Sequence, residues 1–388
     1  MAANLTSAIF DVAVVGSGPA GATAARTLAE RGLKVVLLER ETLPRYKTCG
    51  GGLVDRAFEL LPKEVTGVIE RNYNVAELHL LDRDLHFRAE RRTRVVGMTM
   101  RDRLDQTLAT AAVAAGAELR APCRVTGMNA ERDGVRLDTD RAPVRARFVI
   151  GADGANSDVA RFAGWNDGRL LIPALEYELR VDDATLDRFA SAPRFDVGPV
   201  PYGYAWVFPK ATHLSVGVLT GHRGAINLHQ HVEAYLRAIG LVARSVERHG
   251  FVIPIRPRAG PLARGRVLLT GDAAGLADPL TAEGISPAAR SGRLAARAIH
   301  EGWETGSDPA RVSETYAMLL RPMLADLRVG RWLARLLYDH PRARAWIFRR
   351  MGQRLVEAIT DVFLGVRTYR GSLTGLALAL ARRASTRS

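Results

Sequence analysis

Gly16-Ser17-Gly18-Pro19-Ala20-Gly21 lies between an apolar run, Ile9 to Val15, and a segment in which Ala24, Ala25, Leu28 and Ala29 recur at helical spacing. A strand, tight turn and helix of this kind leaves few folds open. Its backbone N–H groups and the helix N-terminus converge on one point and suit a pyrophosphate. Gly16 permits the turn, Gly18 admits the phosphate, and Gly21 lets helix and strand pack closely. Gly32 ends the helix, Lys34 to Leu38 supplies a second buried strand, and Glu39 follows eighteen residues after Gly21, placed to accept hydrogen bonds from a ribose. The βαβ unit so formed has about the 30 residues such a unit needs. The fold class is therefore α/β, with a Rossmann-like dinucleotide-binding domain, and at this point NAD and FAD both fit.

The rest of the 388-residue chain changes character. Residues 73 to 100 read as short strands and Asp102 to Gly116 as an amphipathic helix. Glu118 to Val125, Gly134 to Thr139 and Val144 to Ile150 read as strands, the last ending at Gly151-Ala152-Asp153-Gly154. Between roughly Gly168 and Gly265 the segments are short, β-like and rich in Pro and aromatics, and Arg266 to Thr270 then reads as another buried strand ahead of a helix from Ser286 to about Trp303. The Rossmann-like FAD-binding domain is thus expected to be discontinuous (1–66, 101–165 and 266–305). Residues 67–100 and 166–265 form an inserted, mostly antiparallel β substrate domain, and 306–388 a helical C-terminal tail. With only Cys49 and Cys123, a disulfide framework and a structural zinc site both lack ligands, so no metal is expected and a cytoplasmic setting fits best. The first ten residues have no basic n-region and read as the approach to the first strand, not as a signal peptide. No stretch reaches the ~18 apolar residues needed to span a bilayer.

Downstream motifs bear on the choice of dinucleotide. Gly271-Asp272-Ala273-Ala274-Gly275 would set a carboxylate at the C-terminal end of a strand, where open α/β sheets bind ligands and where it could hold a ribityl chain. Here the chain resembles the two-domain flavoproteins related to para-hydroxybenzoate hydroxylase, in which GxGxxG, a "DG" segment (Asp153-Gly154) and a "GD" segment (Gly271-Asp272) jointly hold FAD. The resemblance implies that an arginine at a helix start reaches the cofactor. Arg101 matches it, with Arg103 the near alternative. Ala20, Arg40 and Val125 complete the expected cofactor surroundings.

Pro44-Arg45-Tyr46-Lys47-Thr48-Cys49-Gly50-Gly51-Gly52 is similar to the "P-R-x-K-x-C-G-G-G" segment of geranylgeranyl reductases, FAD enzymes that saturate isoprenoid double bonds. The resemblance sets this segment, with Cys49, Gly50 and Gly52, beside the flavin, where absent Cβ atoms would let backbone lie against a planar ring. For Cys49 three roles stay open: flavin contact, buried small hydrophobe, and proton or redox participant. On a strand, Tyr202, Tyr204, Trp206 and Phe208 would share one face, as core packing or as a ligand wall. The stripe matches the family's "Y-x-W-x-F-P-K" signature, which favours a substrate wall; flavin halogenases carry a partly similar pattern. Gly284 and Ile285 open a helix whose N-terminus could stabilise negative charge on reduced flavin. Ala282 stands where the family usually has glycine, and Leu219 where a second glycine is common, which bears on cavity size.

The resemblance implies an oxidoreductase in which reduced flavin delivers hydride to an isoprenoid alkene, and an aromatic or polyketide hydroxylase of the same superfamily is the alternative, with a halogenase less favoured. No second Gly-x-Gly-x-x-Gly is present, so the reductant is expected to be transiently bound NAD(P)H or a reduced electron-transfer protein. The formal net charge is +14, and from Arg321 onward fourteen arginines face four acidic residues, a surplus of ten. Arg342-Ala343-Arg344-Ala345-Trp346-Ile347-Phe348-Arg349-Arg350 and the terminal Leu373 to Leu380 suit an anionic membrane surface at the inner face of the membrane. They equally suit a helical cap on the protein. No nucleic-acid-binding motif accompanies the charge.

Overall fold

The structure is a computed structural model describing residues 9–166, 170–304, 306 and 308–372. Its first sheet grows around the Phe10–Val15 strand, whose residues are almost all buried in the main core. Val35–Leu38 pairs with it in parallel on one side and Val144–Gly151 on the other; Glu118–Arg120 and Val267–Leu269 extend the parallel set outward. Strands Val125–Glu131 and Gly134–Thr139 and the short Ala263–Arg264 add antiparallel pairs, making eight strands in all.

Two details differ from the sequence reading. Residues 118–125 do not form one strand, because Pro122 has no N–H for a ladder and the chain breaks between Arg120 and Val125. The region read as short β segments also contains two helices, Asp183–Phe189 and Leu228–Ala238, with Asp182 and Asn227 accepting backbone N–H bonds at their starts. In the second helix Leu228, Val232 and Tyr235 share one face and pack into the core beneath the second sheet.

That second sheet has seven strands in the order Ser245–Pro254, Leu171–Arg180, Leu214–Thr220, Gly203–Pro209, Arg194–Val197, Val75–Leu80 and Leu85–Glu90. All neighbouring pairs are antiparallel except Arg194–Val197 with Val75–Leu80. A three-stranded sheet of Gly52–Val54, Val96–Thr99 and Ile69–Tyr73 bridges the two layers.

The C-terminal helices Pro309–Tyr338 and Pro341–Phe363 cover both layers. Val312, Tyr316, Leu320, Met323 and Leu327 join the core of the first sheet, whereas Ala334, Leu337, Phe348 and Val362 pack on the second. Arg91 holds Asp361 (Nη2–Oδ1 2.8 Å) and the Glu357 carbonyl (3.0 Å), fastening the last helix to the hairpin beside it. The described part of the tail, to residue 372, thus packs as a helical cap, with Trp332 and Trp346 left 55% and 61% exposed. Leu373 to Leu380 and Arg382-Arg383 lie outside the described residues. No helix among the described residues is long and apolar enough to cross a membrane.

Candidate active site

A cavity of about 570 Å³ opens where the two sheets meet. Of the cofactor and substrate candidates named in the sequence, all but Gly21, Tyr202 and the alternative arginine Arg103 line it. Gly21 is spent inside the turn, where a Cβ would come within 1.8 Å of the Gly16 carbonyl oxygen, and Gly16 itself has φ +99°. Gly18 is different. A Cβ there would meet nothing nearer than the Arg101 and Arg45 guanidinium nitrogens at 3.9 and 4.0 Å, so the turn faces open space bounded by two cations. Arg101, the first residue of the Arg101–Ala114 helix, is fixed by a bidentate pair with buried Asp105 (2.8 and 2.8 Å). Arg103 points away, 61% exposed.

Arg45 escaped the sequence reading. It reaches Asp105 (3.1 Å) and Glu39 (3.5 Å), and its Nη1 is buried without a hydrogen-bond partner. Glu39, 3% exposed, accepts from the Ser17 amide (3.0 Å) and hydroxyl (2.6 Å), which ties the end of the second strand to the glycine turn. Two guanidinium groups at an open Gly18 and an orphaned donor beside a carboxylate fit a pyrophosphate and ribose, so the residues present suit FAD. Asp272 enters the same space and its carboxyl is raised by burial, offset by Lys47 and Arg101. Asp153 lines the cavity too, although its oxygens accept from the Ser157 hydroxyl (2.5 Å) and the Val159 amide (3.0 Å), so it anchors the Asp158–Phe162 helix.

Lys47 projects into the cavity with its ammonium 3.3 Å from the Phe251 ring centroid, and burial followed by the Arg101 charge lowers it to about 8. At the far end, Gly284 and Ile285 start the Ile285–Trp303 helix, but Glu283 takes the Ser286 N–H (2.6 Å) and is paired with Arg56 (3.0 Å). That helix N-terminus thus already carries a carboxylate, neutralised from the side, which limits what it offers an anion. Ala282 has φ +55°, the left-handed conformation that explains the family's glycine.

The aromatic stripe is realised for three of its four members. Tyr204, Trp206 and Phe208 alternate along the Gly203–Pro209 strand and line the cavity. Tyr202 does not: it sits in the turn before the strand with φ +57°, 43% exposed, and stacks on His222. The glycine loop, which lines the cavity, also packs closely against the protein itself. A Cβ on Gly50 would lie 2.8 Å from the Phe208 ring and one on Gly51 2.0 Å from the Thr99 carbonyl oxygen, so these missing side chains accommodate the protein's own wall. Lys210, fully buried, donates to the Gly50 carbonyl (2.6 Å) and the Thr99 carbonyl (3.0 Å). Cys49 is a free thiol whose sulfur accepts from the Gly51 amide at 3.4 Å.

Behind the aromatic wall a narrow apolar cavity of about 50 Å³ shares Tyr204, Phe195 and Phe363 with the larger one and runs to Leu337, Phe348 and Ile359 of the C-terminal helices. Glu77, which also lines the narrow cavity, His79 and His86 bring ligand-type atoms within 4.8 Å of one another, but Arg88 already pairs with Glu77 at 2.8 Å.

Residues 10–196 match the profile of an FAD binding domain. The chain is 30% identical to the digeranylgeranylglycerophospholipid reductase of Thermoplasma acidophilum over 84% of this chain and 87% of that one. It is 33% identical to the chloroplastic geranylgeranyl diphosphate reductase of Nicotiana tabacum, covering 76% of this chain and 67% of the other. A crystal structure of a geranylgeranyl bacteriochlorophyll reductase-like protein from T. acidophilum superposes with a TM-score of 0.75 at 25% identity, over 91% of this chain and 92% of that one. The halogenase PltM shares the fold, at a TM-score of 0.70 and 19% identity over 85% and 76% of the two chains.

Proposed function

We propose that this chain, which belongs to the geranylgeranyl reductase family of FAD-dependent oxidoreductases, saturates carbon–carbon double bonds of an isoprenoid chain. One observation carries the reading. The dinucleotide turn at Gly18 and the Tyr204, Trp206 and Phe208 wall face a single cavity, and a narrow apolar cavity sharing Phe195, Tyr204 and Phe363 with it lies against the C-terminal helices. A charged cofactor end and an apolar substrate end are thereby joined, as reduction of a lipid alkene requires.

In this reading Arg45 and Arg101 hold the pyrophosphate at Gly18, with Gly16, Ala20 and Gly21 shaping the turn. Glu39 and Arg40 meet the adenosine ribose side, Asp272 takes the ribityl chain, and Val125, Asp153 and Gly154 border them. Cys49, Gly50, Gly52, Gly284 and Ile285 surround the ring. Bound and reduced, FAD supplies a hydride; NAD(P)H or a reduced electron-transfer protein recharges it. The aromatic wall fixes the alkene and excludes water, so that the hydride and a proton reach adjacent carbons in one geometry. Segments 1–66, 101–165 and 266–305 act as the cofactor unit and the second sheet as the substrate unit. The outward-facing Trp332 and Trp346, among the arginines of the last helices, rest on an anionic membrane surface that supplies the lipid.

The test is anaerobic incubation of the FAD-loaded protein with dithionite and geranylgeranyl lipids in micelles, followed by mass spectrometry. A gain of two hydrogens per double bond is expected. An unchanged lipid, or a product appearing only with oxygen and carrying an oxygen atom, contradicts the reading and favours the hydroxylase alternative.

A further inference from the structure

Saturating an isolated alkene needs a proton as well as a hydride, and one carboxyl is built into the wall where such a proton would be given. Along Leu171–Arg180 side chains alternate: Leu175, Tyr177 and Leu179 belong to the core beneath the sheet, and Ile172, Ala174, Glu176 and Glu178 occupy the opposite face. Glu176 lines the cavity and is 0% exposed. In register with it are Gly217 on one neighbouring strand and His249 on the other, and Gly217 in turn is in register with Trp206. A Cβ on Gly217 would lie 2.2 Å from Trp206 Cζ2, so the indole covers that glycine beside Glu176. Glu176 Oε1 accepts from the Ser215 hydroxyl at 2.9 Å, while Oε2 is buried without any hydrogen-bond partner. A buried carboxyl beside a second carboxyl, with one oxygen not hydrogen-bonded, is costly as an anion and inexpensive as an acid.

We propose that Glu176 is the catalytic acid of the isoprenoid reduction, its Oε2 bearing the proton delivered to the alkene. This rests on the reductase reading above. The alkene π pair forms a C–H bond with the Glu176 proton at one carbon as the O–H bond breaks. The reduced flavin, the two-electron donor, supplies hydride to the neighbouring carbon. Glu176 is left as a carboxylate and is recharged from solvent. Glu178, next on the same face, provides the route, since Tyr46 donates to its Oε1 (3.4 Å) and His213 Nε2 lies 3.1 Å from its Oε2; Tyr46 is 42% exposed.

The charged and titratable groups around Glu176 are Glu178 on its own strand, Lys210 at the end of the aromatic strand, Tyr46 from the glycine loop and His249 across the sheet, and the Cys49 backbone lies close enough to favour its anion. Burial, then the Glu178 charge, pushes the Glu176 carboxyl up to about 7, while the Ser215 bond and Lys210 pull it down. The acid form is thus retained near neutrality and lost above it.

Three preparations test this: wild type, Glu176→Gln and Ser215→Ala. Infrared difference titration of the flavin-free proteins should show a protonated carboxyl that ionises near neutrality in wild type, is missing in Glu176→Gln and ionises at higher pH in Ser215→Ala. Glu176→Gln should bind FAD and be reduced by dithionite like wild type, yet reduce the isoprenoid at least about 100-fold more slowly. The wild-type rate should fall as pH rises through the Glu176 ionisation, and Ser215→Ala should move that fall upward. Near-normal turnover by Glu176→Gln with an unchanged pH profile overturns the assignment, as does Glu176 ionising in the ordinary carboxylate range. Absence of isoprenoid reduction by wild type refutes the reductase reading instead, and leaves the infrared result to report on Glu176 alone.

Discussion

Lys210 Nζ donates to the Gly50 carbonyl at 2.6 Å, joining the end of the aromatic strand to the middle of the glycine loop across 160 positions of sequence. The same ammonium reaches the Thr99 carbonyl at 3.0 Å and is the buried cation opposite Glu176 and Glu178. The two signature segments are therefore one structure. The glycines make room for Phe208, and the lysine that ends the aromatic signature holds them there.

Lys210→Met should cost about 1–3 kcal/mol of stability, because it leaves the buried Gly50 and Thr99 carbonyls without their donor. Urea unfolding measures this. A loss below about 1 kcal/mol would show that the stitch is unimportant.

Arg45→Met should weaken FAD binding by about 10- to 100-fold, the effect expected of one hydrogen bond to a charged group. Asp105 keeps its bidentate Arg101 partner in the variant, so the fold should be retained. Flavin fluorescence titration gives the affinity; an unchanged value removes Arg45 from the site.

Lys47 has the lowered ammonium, and its depressed value makes the sign definite. Its contribution to stability is present above the ordinary lysine pKa and is lost as pH falls through about 8. At pH about 8 it is half neutral, and the exposed Lys34 and Lys63 serve as the comparison. Amine labelling read by peptide mass spectrometry should modify Lys47 ahead of those two, and FAD should slow it. Equal labelling of all three contradicts the reading.

Ala282→Gly should stabilise the protein by about 0.5–1 kcal/mol, since relief of a left-handed φ outweighs glycine's extra unfolded-state entropy. Thermal unfolding at matched flavin content decides it, and a lower Tm would show that Ala282 is not strained.

The glycine turn, Glu39 and the aromatic strand were legible because each carries a local period or spacing that survives without knowledge of the fold. Tyr202 was misread because alternation was extended one step past the strand, into a turn whose positive φ leaves no mark in the residue type. Arg45, Lys47 and Lys210 stand in quoted motifs and Glu176 in none, but none carried a signal of its own, since their roles come from burial and from partners up to 160 positions away. Glu176 in particular reads as the polar half of an ordinary alternating strand. The packing of Trp206 over Gly217 shows that its face is buried as well.

Equilibrium titration of FAD into the purified protein, beside Gly18→Val and Asp272→Ala, tests the whole account most directly. One flavin per wild-type chain is expected, with little or none retained by either variant. Wild-type protein that stays colourless after incubation with FAD, or variants that both hold a full equivalent, would contradict it.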